Sequence, residues 1–142
     1  MKPQPTTTSE ELGNGCLPEN YLPENYLPER TIAELQRDLQ AGKVTSKQLV
    51  LGYLSRIEQI DRSGPTLRSV IEVNPDAVAI AEALDAERAR SGPRGILHGI
   101  PILIKDNIDT DDKMLSTAGS LALTTSRPAQ EATCLLYTSR CV

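Results

Sequence analysis

Gly95-Ile-Leu-His-Gly-Ile-Pro-Ile-Leu-Ile-Lys-Asp-Asn-Ile-Asp109 is the stretch on which the reading of this chain turns. Inside it, Pro101-Ile-Leu-Ile104 is a continuous apolar run, the pattern of a strand buried on both faces. Gly95 and Gly99 bracket a turn ahead of the run, and residues 106–113 form a polar loop behind it. Lys105 closes the run, at the place where open α/β sheets gather their functional groups.

Working back from that run, the chain reads as helices joined by short breaks. Thr31-Ile-Ala-Glu34 is a capping box, and Ile32, Leu35 and Leu39 then recur at helical spacing until Gly42. Thr45 and Gln48 form a second box, followed by the stripe Leu49, Tyr53, Ile57 and Ile60, which stops before Ser63-Gly-Pro65. Residues 67–73 are a strand candidate with β-branched Val70, Ile71 and Val73. Asn74-Pro75 predicts a helix start, and Ser91-Gly-Pro93 ends the Ala-rich segment that follows. Helix, helix, strand, helix and strand in that order predict an α/β layer structure. The two or three strands are fewer than a typical sheet holds, so the sequence reads as the first part of a larger domain.

The two ends look different. Residues 1–30 are polar and Pro-rich, with the tandem unit Leu17-Pro-Glu-Asn-Tyr21, Leu22-Pro-Glu-Asn-Tyr26 and Leu27-Pro-Glu-Arg30. Proline at every fifth position excludes helix interiors and central strands, so this part is expected to be a disordered or extended arm. Residues 134–142, Cys-Leu-Leu-Tyr-Thr-Ser-Arg-Cys-Val, can be encoded by a transposon-end sequence used in sequencing libraries. They are expected to be a translated adaptor and are left out of the fold. The expected domain portion is therefore 31–133.

Composition removes several functions. The 142 residues carry 15 basic and 19 acidic side chains, a net charge of −4, which does not favour phosphate backbones. Without Trp or Phe the chain lacks the stacking platforms of single-strand readers, so no nucleic-acid partner is expected. No window is apolar enough to span a membrane, and the first fifteen residues hold no secretory signal. Cys16, Cys134 and Cys141 have no metal-ligand spacing, no Gly-rich phosphate loop occurs, and neither metal nor cofactor is expected.

Few side chains could carry chemistry. Lys105 reads either as a solvated charge ending an apolar strand or as a base. The second role requires a neutral amine, hence desolvation or like-charge pressure, which Asp106 opposes unless its carboxylate turns away. His98, the one histidine, reads as a turn residue. The acidic segment 106–112 fails as a calcium loop, with Ile108, Asp111 and Thr117 where ligands or glycine are needed. Thr117-Ala-Gly-Ser120 is a run of small residues suited to close backbone approach.

The block Leu97-His-Gly-Ile-Pro-Ile-Leu-Ile-Lys-Asp-Asn-Ile-Asp109, followed by Thr117-Ala-Gly-Ser-Leu-Ala-Leu123, resembles the amidase signature family. The likeness extends over roughly 31–133. It implies a mixed β-sheet core surrounded by helices, present here only in its N-terminal part. It implies an amidase that hydrolyses a small-molecule carboxamide through a Ser–cis-Ser–Lys triad, with Lys105 as the base. Thr117, Gly119 and Ser120 match a segment packed beside that site. The Gly/Ser-rich segment bearing both serines does not occur among these residues, so this chain by itself is expected to be inactive. Two alternatives stand beside this reading. One is the glutaminase subunit of a tRNA-dependent amidotransferase, whose members usually carry Cys-Ala-Ser where Ala118-Gly-Ser120 stands. The other is a non-catalytic helical interaction fragment built on residues 31–62.

Overall fold

The computed structural model describes residues 22, 26–28 and 30–134. The remainder of the expected arm and residues 135–142 of the expected tail lie outside them. Both capping boxes form as the sequence predicts. Thr31 Oγ1 accepts from Glu34 N, and Glu34 accepts from Thr31 N at 2.8 Å, which starts helix α1, Ile32–Gln40. Thr45 and Gln48 do the same for α2, Ser46–Arg56. A wider π-helical turn, Ile57–Arg62, prolongs α2. Helix α3, Ala77–Ser91, ends at Gly92, whose φ of 76° needs no Cβ penalty.

Helices α1 and α2, with the Val44 link between them, close a small core. Leu35, Leu39, Val44 and Leu49 are buried together, with Leu49 fully removed from solvent. Leu27 joins them, and Leu22 and Tyr26 pack beside it, although the sequence assigns all three to the arm. Gly52 allows this approach, because a Cβ there would press on Leu27 Cδ1 at 2.9 Å and Leu22 Cδ1 at 3.0 Å. The Tyr26 hydroxyl donates to Asp38 Oδ2 at 2.6 Å, and burial together with that carboxylate pushes its pKa above the ordinary tyrosine value.

Polar groups tie the helices to the turn that leads into the apolar run. Asp85 of α3 accepts from Ser46 N at 2.7 Å and Lys47 N at 3.0 Å, a carboxylate at the positive end of α2. Arg88 Nη2 donates to Gln36 Oε1 and to His98 O, and Gln36 Nε2 donates to Ile96 O and His98 O. The His98 ring is buried between Arg94 N, which donates to Nδ1, and Leu84 O at 3.0 Å from Nε2. Assigning the proton to Nε2 satisfies both nitrogens. His98 is thus a turn residue, as expected, and it fixes residues 95–99 on α3.

The expected strands are absent among the described residues, so the α/β class and its mixed sheet are not seen here. The cause is visible in both places. At 67–70 the backbone N–H groups turn back toward residues 60 and 61 rather than toward a partner strand. Leu67 N and Arg68 N reach Ile60 O and Asp61 O, and Ser69 N and Val70 N reach the Asp61 carboxylate. Thr66 and Arg68 accordingly adopt positive φ, which a regular strand does not contain. At 101–104 no neighbouring strand accompanies the run among the described residues, and Ile102 and Leu103 stand 58% and 79% exposed. The start of α3 also moves. Asn74 Oδ1 caps a preceding turn through Asp76 N at 2.9 Å, and the helix itself begins at Ala77.

Candidate active site

From the anchored 95–99 turn the chain runs out through 101–104 and delivers Lys105 to the surface. The Lys105 side chain is exposed and has no hydrogen bond or ion pair among the described residues. The burial that the base role calls for is not supplied by this chain's described residues.

Asp106 behaves differently from its neighbour. Its Oδ2 accepts from Thr117 Oγ1 and from Gly119 N at 3.0 Å, while its backbone O accepts from Ala118 N at 3.2 Å. These hydrogen bonds hold its carboxyl below the usual carboxylate range, the Thr117 hydroxyl being the largest cause and Gly119 N the next. The carboxylate is thereby committed to the 117–120 loop.

That loop wraps around the acid. Ala118 and Gly119 have φ of 47° and 72°, two successive left-handed residues that aim their N–H groups at Asp106. For Ala118 the conformation costs about 1–2 kcal/mol, because its Cβ crowds the following carbonyl. Thr117 is buried, whereas Gly119 and Ser120 are exposed. Ser120 Oγ accepts from Ala122 N at 3.3 Å and caps the short 3₁₀ turn Leu121–Leu123. The structure therefore brings Thr117 and Gly119 together on Asp106, directly beside Lys105 in the chain, and gives Ser120 a capping role.

In the sequence Asp106 figures as a possible opponent of Lys105, in the rejected calcium loop and within the family block, and its grip on the 117–120 loop is invisible there. Partners eleven and thirteen residues away leave no periodic trace, so no pattern points to it. No group of His, Cys, Asp and Glu among the described residues is arranged to hold a metal. A cleft of about 300 Å³ lies elsewhere, between the end of α1, the 42–45 link and α3, where Leu39, Val44, Asp85 and Arg88 line it.

The described frame is helical and presents a Lys-Asp pair whose acid is wound into a small-residue loop. The protein-family model described as Amidase matches residues 48–136, which include Lys105, Asp106 and the whole loop. The chain belongs to the Amidase family. A protein named as an amidase in Arthroderma benhamiae is 46% identical over 99 residues, covering 70% of this chain and 16% of that protein. A glutamyl-tRNA(Gln) amidotransferase subunit from Halorhodospira halophila is 41% identical over 105 residues, covering 73% and 21%. The crystal structure of native peptide amidase from Stenotrophomonas maltophilia superposes with a TM-score of 0.77 at 45% identity, covering 83% of this chain and 24% of that one. The chain thus spans between a sixth and a quarter of the length of these three relatives.

Proposed function

We propose that this chain supplies the lysine-bearing N-terminal part of an amidase that hydrolyses a small carboxamide. The observation that carries the reading is the Lys105-Asp106 pair with its bound 117–120 loop, lying inside the family match. Lys105, once covered and neutral, takes a proton from a relay serine. That serine takes the proton of a nucleophilic serine, whose oxygen attacks the amide carbonyl carbon. The C–N bond breaks, the nitrogen leaves with a proton as ammonia or an amine, and water hydrolyses the acyl-enzyme. Both serines are to be supplied by sequence outside these 142 residues, and the chain alone is inactive, because such groups act as a unit.

The glutaminase subunit of a tRNA-dependent amidotransferase is a second reading, favoured by the 41% identity to the Halorhodospira protein. Ala118-Gly119, where that branch usually carries Cys-Ala, weighs against it.

A chimaera tests the proposal. Residues 31–133 replace the matching segment of the Stenotrophomonas peptide amidase, and ammonia release from a small carboxamide is followed. The chimaera is expected to turn over, and Lys105→Ala is expected to cut kcat by at least about a hundredfold with the fold retained. Retained turnover in Lys105→Ala overturns the base role. Ammonia release by the isolated 142-residue chain overturns its inactivity.

A further inference from the structure

We propose that Asp106 is a positioning residue, whose carboxylate locks the left-handed 117–120 loop to the backbone that carries Lys105. Two observations converge on it. First, every polar contact recorded for the Asp106 carboxylate goes to that loop, through Thr117 Oγ1 and Gly119 N, and its backbone O adds Ala118 N. Second, Ala118 sits in a conformation that only glycine adopts freely, and nothing in its side chain explains why it should. Such strain persists where the surroundings over-determine it, and the hydrogen bonds to Asp106 are the surroundings in question.

The division of labour between adjacent residues follows. Lys105 faces outward, free of described partners, and Asp106 faces the loop. The loop and the lysine backbone then move as one body. The service of that body in amide hydrolysis rests on the reading given above, whereas the lock itself does not.

Amide hydrogen exchange on the whole 142-residue chain tests the lock. Asp106→Ala is expected to speed exchange at Ala118 and Gly119 by roughly tenfold or more, with Leu49 unaffected, because hydrogen bonds to a charged acceptor are lost. Asp106→Asn, which keeps one acceptor oxygen and the side-chain volume, is expected to fall between. Adding Ala118→Gly to Asp106→Ala is expected to restore part of the protection at Gly119, since glycine holds the left-handed turn without help. Unchanged exchange at 118 and 119 in both Asp106 variants overturns the lock. In the chimaera, Asp106→Asn is expected to lower kcat about tenfold while KM stays within about twofold, and Ala118→Gly is expected to recover part of the loss. An unaltered kcat overturns the positioning role. Should Lys105→Ala keep its turnover, the amidase reading fails by itself, and the exchange result still decides the lock.

Discussion

Two halves of this molecule solve the same problem differently. Residues 31–99 bury their own apolar stripe, with Leu35, Leu39, Val44 and Leu49 facing one another and His98, Gln36 and Arg88 tying the far end. Residues 100–132 have no such interior. Ile100 still packs on the helical core and Ile104, Ile108, Met114 and Leu115 are half-buried, but Leu103 is 79% exposed and Leu121 89%, and oxygen acceptors holding backbone N–H groups set much of the shape. Asp106 holds Gly119, Glu72 holds Leu115 at 2.9 Å, and Asp109 O holds Ala132 at 2.9 Å. The first half holds the hydrophobic core, although Leu67, Ile71 and Ile96 are exposed there too, and the second relies more on a hydrogen-bonded frame.

The strongest way to break that contrast is Leu49→Ala. Leu49 is wholly buried at the centre of the helical cluster, so truncation removes its transfer energy and leaves a cavity. A loss of about 3–5 kcal/mol follows, seen as a lower urea midpoint at unchanged slope. A loss below about 1 kcal/mol would mean the helices do not close a core. Gly99→Ala comes next. Gly99 has φ of 76°, and a Cβ there would run into Ser46 Oγ, in a serine with no solvent exposure. Left-handed strain and overpacking together predict a loss of about 3 kcal/mol by the same measurement. A neutral result would detach the 95–99 turn from α2.

Acid separates backbone held by carboxylates, which each half contains, from the buried helical core. Asp61 and Asp106 both have carboxyls held below the ordinary aspartate value, Asp61 chiefly by the Ser69 hydroxyl and backbone N–H, and Asp106 chiefly by the Thr117 hydroxyl. A depressed folded-state value stabilises the fold in full above the unfolded value of about 4, and the gain is lost as pH falls through the depressed value. Exchange protection at Ser69, Val70 and Gly119 should therefore fade below pH 4 while Leu49, bonded to Thr45 O at 3.1 Å, keeps its own. Simultaneous loss at all four amides would show that the helical core opens together with the carboxylate-held segments.

What can be read from the sequence follows the range of the interactions. Both capping boxes and the Gly92 stop are local, with partners three or four residues apart, and they stand where the pattern puts them. The β-branched run at 67–73 looks like a strand because propensity describes a pleated, half-buried surface. Asp61 captures its N–H groups instead, and no partner strand is there among the described residues to compete. The prolines around Leu27 argue for an arm, and the space over Gly52 that receives it exists only once α2 has formed. At the candidate site, Lys105 and the 117–120 loop are legible through the family block. The Asp106 lock is not, because it joins residues eleven and thirteen apart through one carboxylate.

The smallest expected effect is the most discriminating one. Leu103→Ala makes the same chemical change as Leu49→Ala, one isobutyl group cut to a methyl, in the other half of the molecule. Leu103 is 79% exposed, so little buried area is lost and no cavity forms. The urea midpoint should move by less than about 0.5 kcal/mol equivalent. Identical substitutions then differ several-fold in cost, and the ratio measures how far each half completes its own packing. A loss near that of Leu49→Ala would mean that the 101–104 run is already covered in solution, by another copy or by chain beyond the described residues. Sedimentation over a range of concentrations separates those two covers, since only the first disappears on dilution. With Leu103 uncovered and the shift small, the run is apolar surface held in place by the frame around it, and the cost of that exposure is borne by the helical half.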